Sequence, residues 1–165
     1  MNITTKKLQT VEKEIFNRYF SNPNDDLYAL DCAKEFTSAY DSIVKSVVSE
    51  TTDNLNGIAI YAFGSPARYE MLGQSDLDCM IVRQDDLDIK DFKRSLLTNL
   101  QRFNFSKLDV PVWGTLSDCK NYISTAITEG NQVIEARFLI GDQSVANDIE
   151  KLREKVLLLH HTRIY

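Results

Sequence analysis

The 165-residue sequence has little histidine and none of the common catalytic signatures. Its two histidines, His160 and His161, are adjacent, and neighbouring helical positions point in different directions, so they cannot jointly hold a metal ion. The sequence contains no Ser-His-Asp set, no P-loop and no internal repeat. These absences argue against a histidine-dependent hydrolase and a P-loop ATPase.

Cysteine is also scarce, and neither charge sign forms a long run. Cys32, Cys79 and Cys119 are widely spaced within apolar patterns, which predicts reduced core residues and neither a disulfide framework nor a zinc site. The net charge of −5 is spread evenly, so there is no basic stripe of the kind that binds a phosphate backbone. Long nucleic acid is therefore not the expected partner.

No apolar run approaches the length of a membrane span, and the first residues lack the hydrophobic segment of a signal peptide. We therefore expect a cytoplasmic protein with no membrane partner. A length of 165 residues fits one compact domain. We expect residues 1–52 to form a helical pair and residues 53–165 to form the core on which that pair packs.

Apolar residues recur at helical spacing in several segments. This periodicity predicts helices over Thr4–Phe20, Leu27–Ser49, Ile89–Phe103, Thr115–Thr128 and Ser144–His160, and Gln132–Ile140 is also helical in spacing. Asp88 is placed to cap the third helix, Thr115 or Ser117 the fourth, and Glu129-Gly130-Asn131 is predicted to end the fourth. The acidic residues before Asp88 are interpreted as solvated turn residues and not as metal ligands.

Three shorter runs predict strands over Ile58–Phe63, Ser75–Val82 and Lys107–Trp113. Pro111 places the last of these at a sheet edge or a strand end. The fold class expected from this order is α/β (α+β), with a small mixed sheet flanked by helices and an N-terminal helical pair.

The stretch from Phe63 to Val82, FGSPARYEMLGQSDLDCMIV, carries the chemistry. Gly64 lets the backbone approach a ligand closely, and the Ser65 hydroxyl with the amides that open the next short helix can hold a phosphate. Asp76 and Asp78 project from one side of the predicted strand, so both carboxylates can grip one or two divalent cations. All-oxygen ligation suits Mg²⁺ or Mn²⁺. The alternative is that Asp76 caps the strand start and Asp78 is a solvated strand residue.

Gly-Ser, a spacer and then Asp-x-Asp on the next strand resembles the nucleotidyltransferase superfamily that includes DNA polymerase beta. GSPARYEMLGQSDLD is most similar to the N-terminal domain of the PII-protein uridylyltransferases and their relatives of uncertain function. The resemblance continues through TLSDCKNYISTA and VIEARFLIGDQSVANDIEKL, so it covers roughly residues 41–157.

The resemblance implies a nucleotidyltransferase fold and transfer of a nucleoside monophosphate from an NTP to a hydroxyl of a protein or small molecule. It implies a third carboxylate on the neighbouring strand, where Asp109 is the acidic residue; the alternative is an exposed edge-strand charge. Asp76, Asp78 and Asp109 would hold the metal, and Gly64 with Ser65 the phosphates. Arg68 could reach phosphate, or it could pair with Glu70 and brace the loop.

Two other functions are compatible with the same fold. One is a non-catalytic regulatory module that binds nucleotide, and the other is an interaction protein such as the partner of a toxin. The uridylyltransferase-like proteins continue into further helical domains, and Leu157-Leu158-Leu159 precedes an aromatic end here. We therefore expect a further domain or an oligomer partner to cover apolar surface near the end of the sequence.

Overall fold

A computed structural model of the chain describes residues 8–21, 28–73, 75–103, 105, 108–109, 112–125 and 127–161. Both helices and strands occur along these residues. The elements in order are α1 (Leu8–Phe20), α2 (Tyr28–Thr51), β1 (Ile58–Ala62), α3 (Gly64–Ala67), β2 (Leu77–Arg83), α4 (Lys90–Leu100), a short 3-10 helix (Gln101–Phe103), β3 (Leu108–Asp109), β4 (Val112–Thr115), α5 (Leu116–Thr125), α6 (Ile127–Glu135), β5 (Arg137–Gly141) and α7 (Gln143–His161).

The strands form one mixed five-stranded sheet in the order β3-β2-β1-β5, and β4 also pairs with β2. β1 lies antiparallel to both β2 and β5, whereas β3 and β4 run parallel to β2. The expected small mixed sheet with flanking helices is confirmed. Among the described residues, no helix is both long and apolar enough to cross a membrane.

The chain divides into two compact units whose segments interleave along the sequence. The first unit contains residues 1–53, 65–78 and 89–110, and the second contains 54–64, 79–88 and 111–165. In the first unit α2 packs against α1 and α4. Phe36, Tyr40, Ile43 and Val47 are all buried along α2, as their helical spacing predicted.

In the second unit, one face of β1 and β2 packs against α5, α6 and α7. The alternating residues Ala59 and Tyr61 of β1, and Met80 and Val82 of β2, share a buried cluster with side chains from α5, α6 and α7. Cys119 of α5 lies in this cluster, and Cys32 and Cys79 are buried as well. All three thiols are unbridged, as predicted.

Thr115 caps α5, as one of the two predicted positions. Its Oγ1 accepts a hydrogen bond from the Asp118 amide at 3.1 Å, and the Asp118 carboxylate accepts one from the Thr115 amide at 2.7 Å. This reciprocal pair satisfies two amides that a helix start leaves without partners. Asp88 was predicted to cap the helix that is α4, and this prediction is wrong. Ile89 is the N-cap residue, and it makes no side-chain capping hydrogen bond.

The region after α5 differs most from the prediction. Glu129-Gly130-Asn131 does not end a helix but lies within α6, and the segment predicted as helical over Gln132–Ile140 contains the end of α6 and the strand β5. Gly130 serves close packing: a Cβ atom at this position would lie 2.8 Å from the Tyr122 carbonyl oxygen of α5. β5 forms because it pairs with β1, a partner 75 or more residues earlier that local periodicity does not reveal.

Smaller differences concern element ends and exposure. The strand predicted over Lys107–Trp113 is two strands, and Lys107, Val110 and Pro111 lie outside the described residues. Phe16, predicted to lie on the apolar stripe of α1, is 48% exposed. Other predictions fall on residues or side chains that are not described, namely Thr4 to Lys7 at the start of the first predicted helix and the side chains of Leu157 to Leu159.

Candidate functional site

Gly64 and Ser65 begin α3, two residues after β1 ends at Ala62. Gly64 has a φ of 61°, in the region that glycine adopts without a Cβ penalty. Its amide donates to Oε1 of Glu135 at 3.2 Å, so this amide already serves a negatively charged oxygen. A phosphate at this amide would have to displace the Glu135 carboxylate. Ser65 is partly exposed.

The residues after α3 form a braced loop. The Ser65 carbonyl accepts from the Glu70 amide at 2.9 Å. Arg68 and Glu70 form an ion pair of 2.8 Å in which both side chains are about half exposed, at 48% and 55%. The structure therefore favours the bracing interpretation of Arg68. An exposed pair of this kind contributes at most about 1 kcal/mol.

Asp76 and Asp78 lie where the loop enters β2. The strand begins at Leu77 and not at Ser75 as predicted, because Ser75 is hydrogen-bonded back to Leu72 in a turn. In this turn the Ser75 amide donates to the Leu72 carbonyl at 3.1 Å, and the Leu72 amide donates to Ser75 Oγ at 3.0 Å. Asp76 is exposed, and Asp78, the second residue of β2, is partly exposed.

Asp109 occupies the position of β3 that is paired in parallel register with Asp78. Leu77 pairs with Leu108 in the same ladder. Neighbouring strands lie about 4.8 Å apart, so the backbone places these two aspartates side by side. Ser65, Asp76, Asp78 and Asp109 all belong to the first compact unit, and Gly64 is the last residue of a segment of the second.

The donor set fits a hard divalent cation. Two aspartates occupy paired strand positions and a third lies two residues earlier, so carboxylate oxygens are the available ligands. Among the residues whose side chains the structure describes, no three His, Cys, Asp or Glu side chains form a group that could hold a metal ion. The side chain of Asp109 is outside that set, so the three-carboxylate arrangement stays a prediction.

The acidic loop before α4 is a separate feature. Asp85 Oδ2 accepts a hydrogen bond from Ser117 Oγ at 2.9 Å. Hydrogen bonds from Ser117 and Thr115 lower the pKa of Asp85. Asp85 is therefore an exposed residue with defined partners, and not only the solvated turn residue that was predicted.

Sequence reasoning missed Tyr40, Glu12 and Glu135. Tyr40 lay on the predicted apolar face of α2, and its burial was expected, but the partner of its hydroxyl was not. That hydroxyl donates to Oε1 of Glu12 at 2.7 Å. Burial of the ring, followed by this bond to Glu12, raises the pKa of Tyr40. No local sequence signal indicates the contact of Tyr40 with Glu12 or that of Glu135 with the Gly64 amide.

No family model matches the chain. Residues of the chain align with the bifunctional uridylyltransferase/uridylyl-removing enzyme of several Acinetobacter baumannii strains, including ATCC 17978 and AYE. The identity is 30% over 91 residues, which is 54% of this chain and 10% of the relative. The chain therefore spans about a tenth of the length of these curated relatives. Among solved structures, that of a toxin-antitoxin with AMP-PNP is similar, with a TM-score of 0.43, 21% identity, and coverage of 74% of this chain and 87% of that chain.

Proposed function

We propose that this chain carries a metal-dependent nucleotidyltransferase activity of the uridylyltransferase type. The observation that carries the proposal is the parallel register of Asp78 in β2 with Asp109 in β3. The distant similarity to a uridylyltransferase supports nucleotidyl transfer as the general reaction. The nucleoside base and the acceptor are not specified by either observation.

The reaction requires two groups of residues. Asp76, Asp78 and Asp109 would hold Mg²⁺ or Mn²⁺, and Gly64 with Ser65 would bind the phosphates of the NTP. A cation held there would neutralise charge on the attacking and leaving oxygens. The acceptor hydroxyl oxygen forms a bond to the α-phosphorus and its proton passes to solvent, while the bond from that phosphorus to the oxygen that bridges the α- and β-phosphates breaks and pyrophosphate leaves. Positioning and charge neutralisation supply most of the rate enhancement in such a site.

A protein or small-molecule hydroxyl is the acceptor class that the charge distribution favours. The chain is acidic, with 24 acidic and 19 basic residues, and its sequence has no basic stripe of the kind that binds long nucleic acid. Because basic residues are in the minority, the NTP would bind through the cation and backbone amides. Neither kind of contact needs a basic side chain.

Coupled binding of metal and nucleotide tests the first half of the proposal. Clustered carboxylates repel one another until a cation arrives, so NTP should raise the melting temperature far more with Mg²⁺ than with EDTA. Equal shifts in the two conditions would argue against the site. Asp78→Asn should abolish the Mg²⁺-dependent part, whereas Asp91→Asn, an exposed change on α4, should leave it intact.

Transfer itself is tested with labelled nucleotides. The protein is incubated with each α-labelled NTP, Mg²⁺ and a cell lysate, and the labelled macromolecule or small molecule is identified. Label that depends on Asp78 supports the enzyme. Mg²⁺-dependent NTP binding without any transfer would favour a nucleotide-binding regulatory module.

A further inference from the structure

The turn that precedes Asp76 rests on one face of α2. Phe36 and Tyr40 are four residues apart, so they lie on the same side of the helix, and both are almost completely buried, at 2% and 1% exposure. A Cβ atom at Gly73 would lie 3.6 Å from the Phe36 ring, which places the turn backbone against that ring. The turn therefore packs against α2.

Tyr40 adds a polar contact to this packing. Its single hydroxyl hydrogen is directed at Glu12 Oε1 at 2.7 Å, and a second, longer contact of 3.4 Å reaches the Ser75 carbonyl oxygen. Asp76, the next residue, is close enough to act electrostatically on Tyr40. The hydroxyl is thus a donor placed among oxygen acceptors of α1 and the turn.

The hydrogen bonds inside the turn do not hold it in place. Those between Leu72 and Ser75 fix the shape of the turn but involve no residue outside it. Contacts with Phe36 and Tyr40 connect it to α2. Without the Tyr40 hydroxyl, the Glu12 carboxylate would lose its hydrogen bond of 2.7 Å, and the Ser75 carbonyl would lose its 3.4 Å contact with the same oxygen.

We propose that Phe36 and Tyr40 of α2 are positioning residues for Asp76, so that the N-terminal helices set the geometry of the metal site. The inference rests on the proposed function, because it gives Asp76 the role of a metal ligand. Residues that orient metal ligands typically change metal affinity by about 10- to 100-fold when they are replaced. A helical pair that only covers the core would have no such effect.

Tyr40→Phe is the test variant, and Tyr19→Phe is its matched control. Burial, followed by a side-chain hydrogen bond with Glu35 across α1 and α2, raises the pKa of Tyr19, but neither residue belongs to the contacts of the turn. With Tyr40→Phe, the Mg²⁺ concentration that gives half of the maximal NTP-induced thermal shift should rise about tenfold. With Tyr19→Phe it should stay within about twofold of the wild-type value.

A second measurement uses the metal-free protein, so it does not depend on activity. Hydrogen exchange of the Ser75 amide, followed by NMR, should be several-fold faster in Tyr40→Phe than in the wild type, because the turn opens more often. The Tyr19→Phe protein should exchange this amide at the wild-type rate. Equal exchange in all three proteins would overturn the inference.

The outcomes separate this inference from the proposed function. If the wild type shows no Mg²⁺-dependent NTP binding, the proposed function fails, whatever the exchange of Ser75. If the wild type binds and Tyr40→Phe needs no more Mg²⁺ than the wild type, the positioning role is wrong and the proposed function stands. Should Tyr40→Phe fail to fold, Phe36→Leu decides by the same two readouts, since it keeps an apolar side chain beneath Gly73 while changing its shape.

Discussion

The backbone amide of Gly57 donates a hydrogen bond to Oδ2 of Asp142 at 2.7 Å, across 85 positions of the chain. The other carboxylate oxygen of Asp142 accepts from the amide and hydroxyl of Ser144, at 2.8 and 2.7 Å, and so caps α7. The Asp142 amide in turn donates to the Ile58 carbonyl. One aspartate therefore joins the start of β1 to the start of α7.

This contact makes stability depend on pH. The hydrogen bond from Gly57, followed by those from Ser144, lowers the pKa of Asp142 in the folded protein. A depressed folded pKa contributes stability that is present above the unfolded value of about 3.9 and is lost as the pH falls through the folded value. Asp142→Asn should therefore be less stable than the wild type at pH 7, and the difference should shrink towards pH 3.

Urea unfolding at the two pH values measures this effect. Asp148→Asn is the control, because Asp148 lies on the same helix in an exposed pair with Lys151. It should change stability little at either pH. A destabilisation by Asp142→Asn that is the same at pH 7 and pH 3 would contradict the role of the carboxylate charge.

Gly130 provides a test of close helix packing in the second unit. Alanine normally stabilises a helix interior by about 1 kcal/mol relative to glycine. Here the added Cβ would lie 2.8 Å from the Tyr122 carbonyl oxygen and 3.1 Å from the Ile123 Cα, both backbone atoms that cannot rotate away. Steric overlap should therefore outweigh propensity, and Gly130→Ala should lower the free energy of unfolding by about 1–3 kcal/mol.

Gly73→Ala is the matched control for Gly130→Ala. A Cβ at Gly73 would meet only the Phe36 ring, at 3.6 Å, which is an ordinary van der Waals distance. Its effect on the free energy of unfolding should be within about 0.5 kcal/mol. Stability of Gly130→Ala equal to or above that of the wild type would show that α5 and α6 can separate without cost.

The sequence predicts the helices of the first unit well because their apolar residues repeat at helical spacing. Phe36, Ile43 and Val47 are examples, and the Thr115 cap is equally local. β5 could not be recognised in this way. Phe138, Leu139 and Ile140 form a short apolar run whose preference for strand over helix is decided by pairing with β1.

The residues of the candidate site also differ in whether local sequence spacing could predict them. Gly64, Ser65, Asp76 and Asp78 were found from local spacing, whereas Asp109 came from resemblance to a family. Its register with Asp78 depends on a strand pairing across 31 positions. The spacing of residues within a single sequence does not indicate such a pairing. The contact of the Tyr40 hydroxyl with Glu12 spans 28 positions and was invisible for the same reason.

The buried hydroxyl of Tyr61 has no hydrogen-bond partner among the described residues. Arg153 lies over the ring with its Cζ 5.8 Å from the ring centre, but its guanidinium donates to the carbonyls of Val133 and Ala136. A buried hydroxyl without a partner costs about 1–3 kcal/mol. Tyr61→Phe should therefore raise the free energy of unfolding by about 1 kcal/mol while keeping the ring contacts.

Tyr40→Phe is the natural comparison for Tyr61→Phe, because the Tyr40 hydroxyl is buried but bonded to Glu12. It should lower the free energy of unfolding by about 1 kcal/mol, the opposite sign. Both values can be obtained from urea denaturation with a common m-value. A loss of stability in Tyr61→Phe as large as that in Tyr40→Phe would show that the Tyr61 hydroxyl is satisfied.

Asp109→Asn separates an enzyme from a protein that only binds nucleotide. As a metal ligand beside Asp78, Asp109 would help to activate the acceptor hydroxyl, and its loss should slow transfer by about a thousandfold or more. Asp76 and Asp78 should keep NTP affinity within about tenfold, and the melting temperature of the free protein should hardly change. Asp91→Asn on the exposed side of α4, with a side chain 88% exposed, should transfer at the wild-type rate. Full transfer activity in Asp109→Asn would refute its assignment as a ligand, and unfolding of the variant would show that Asp109 is structural.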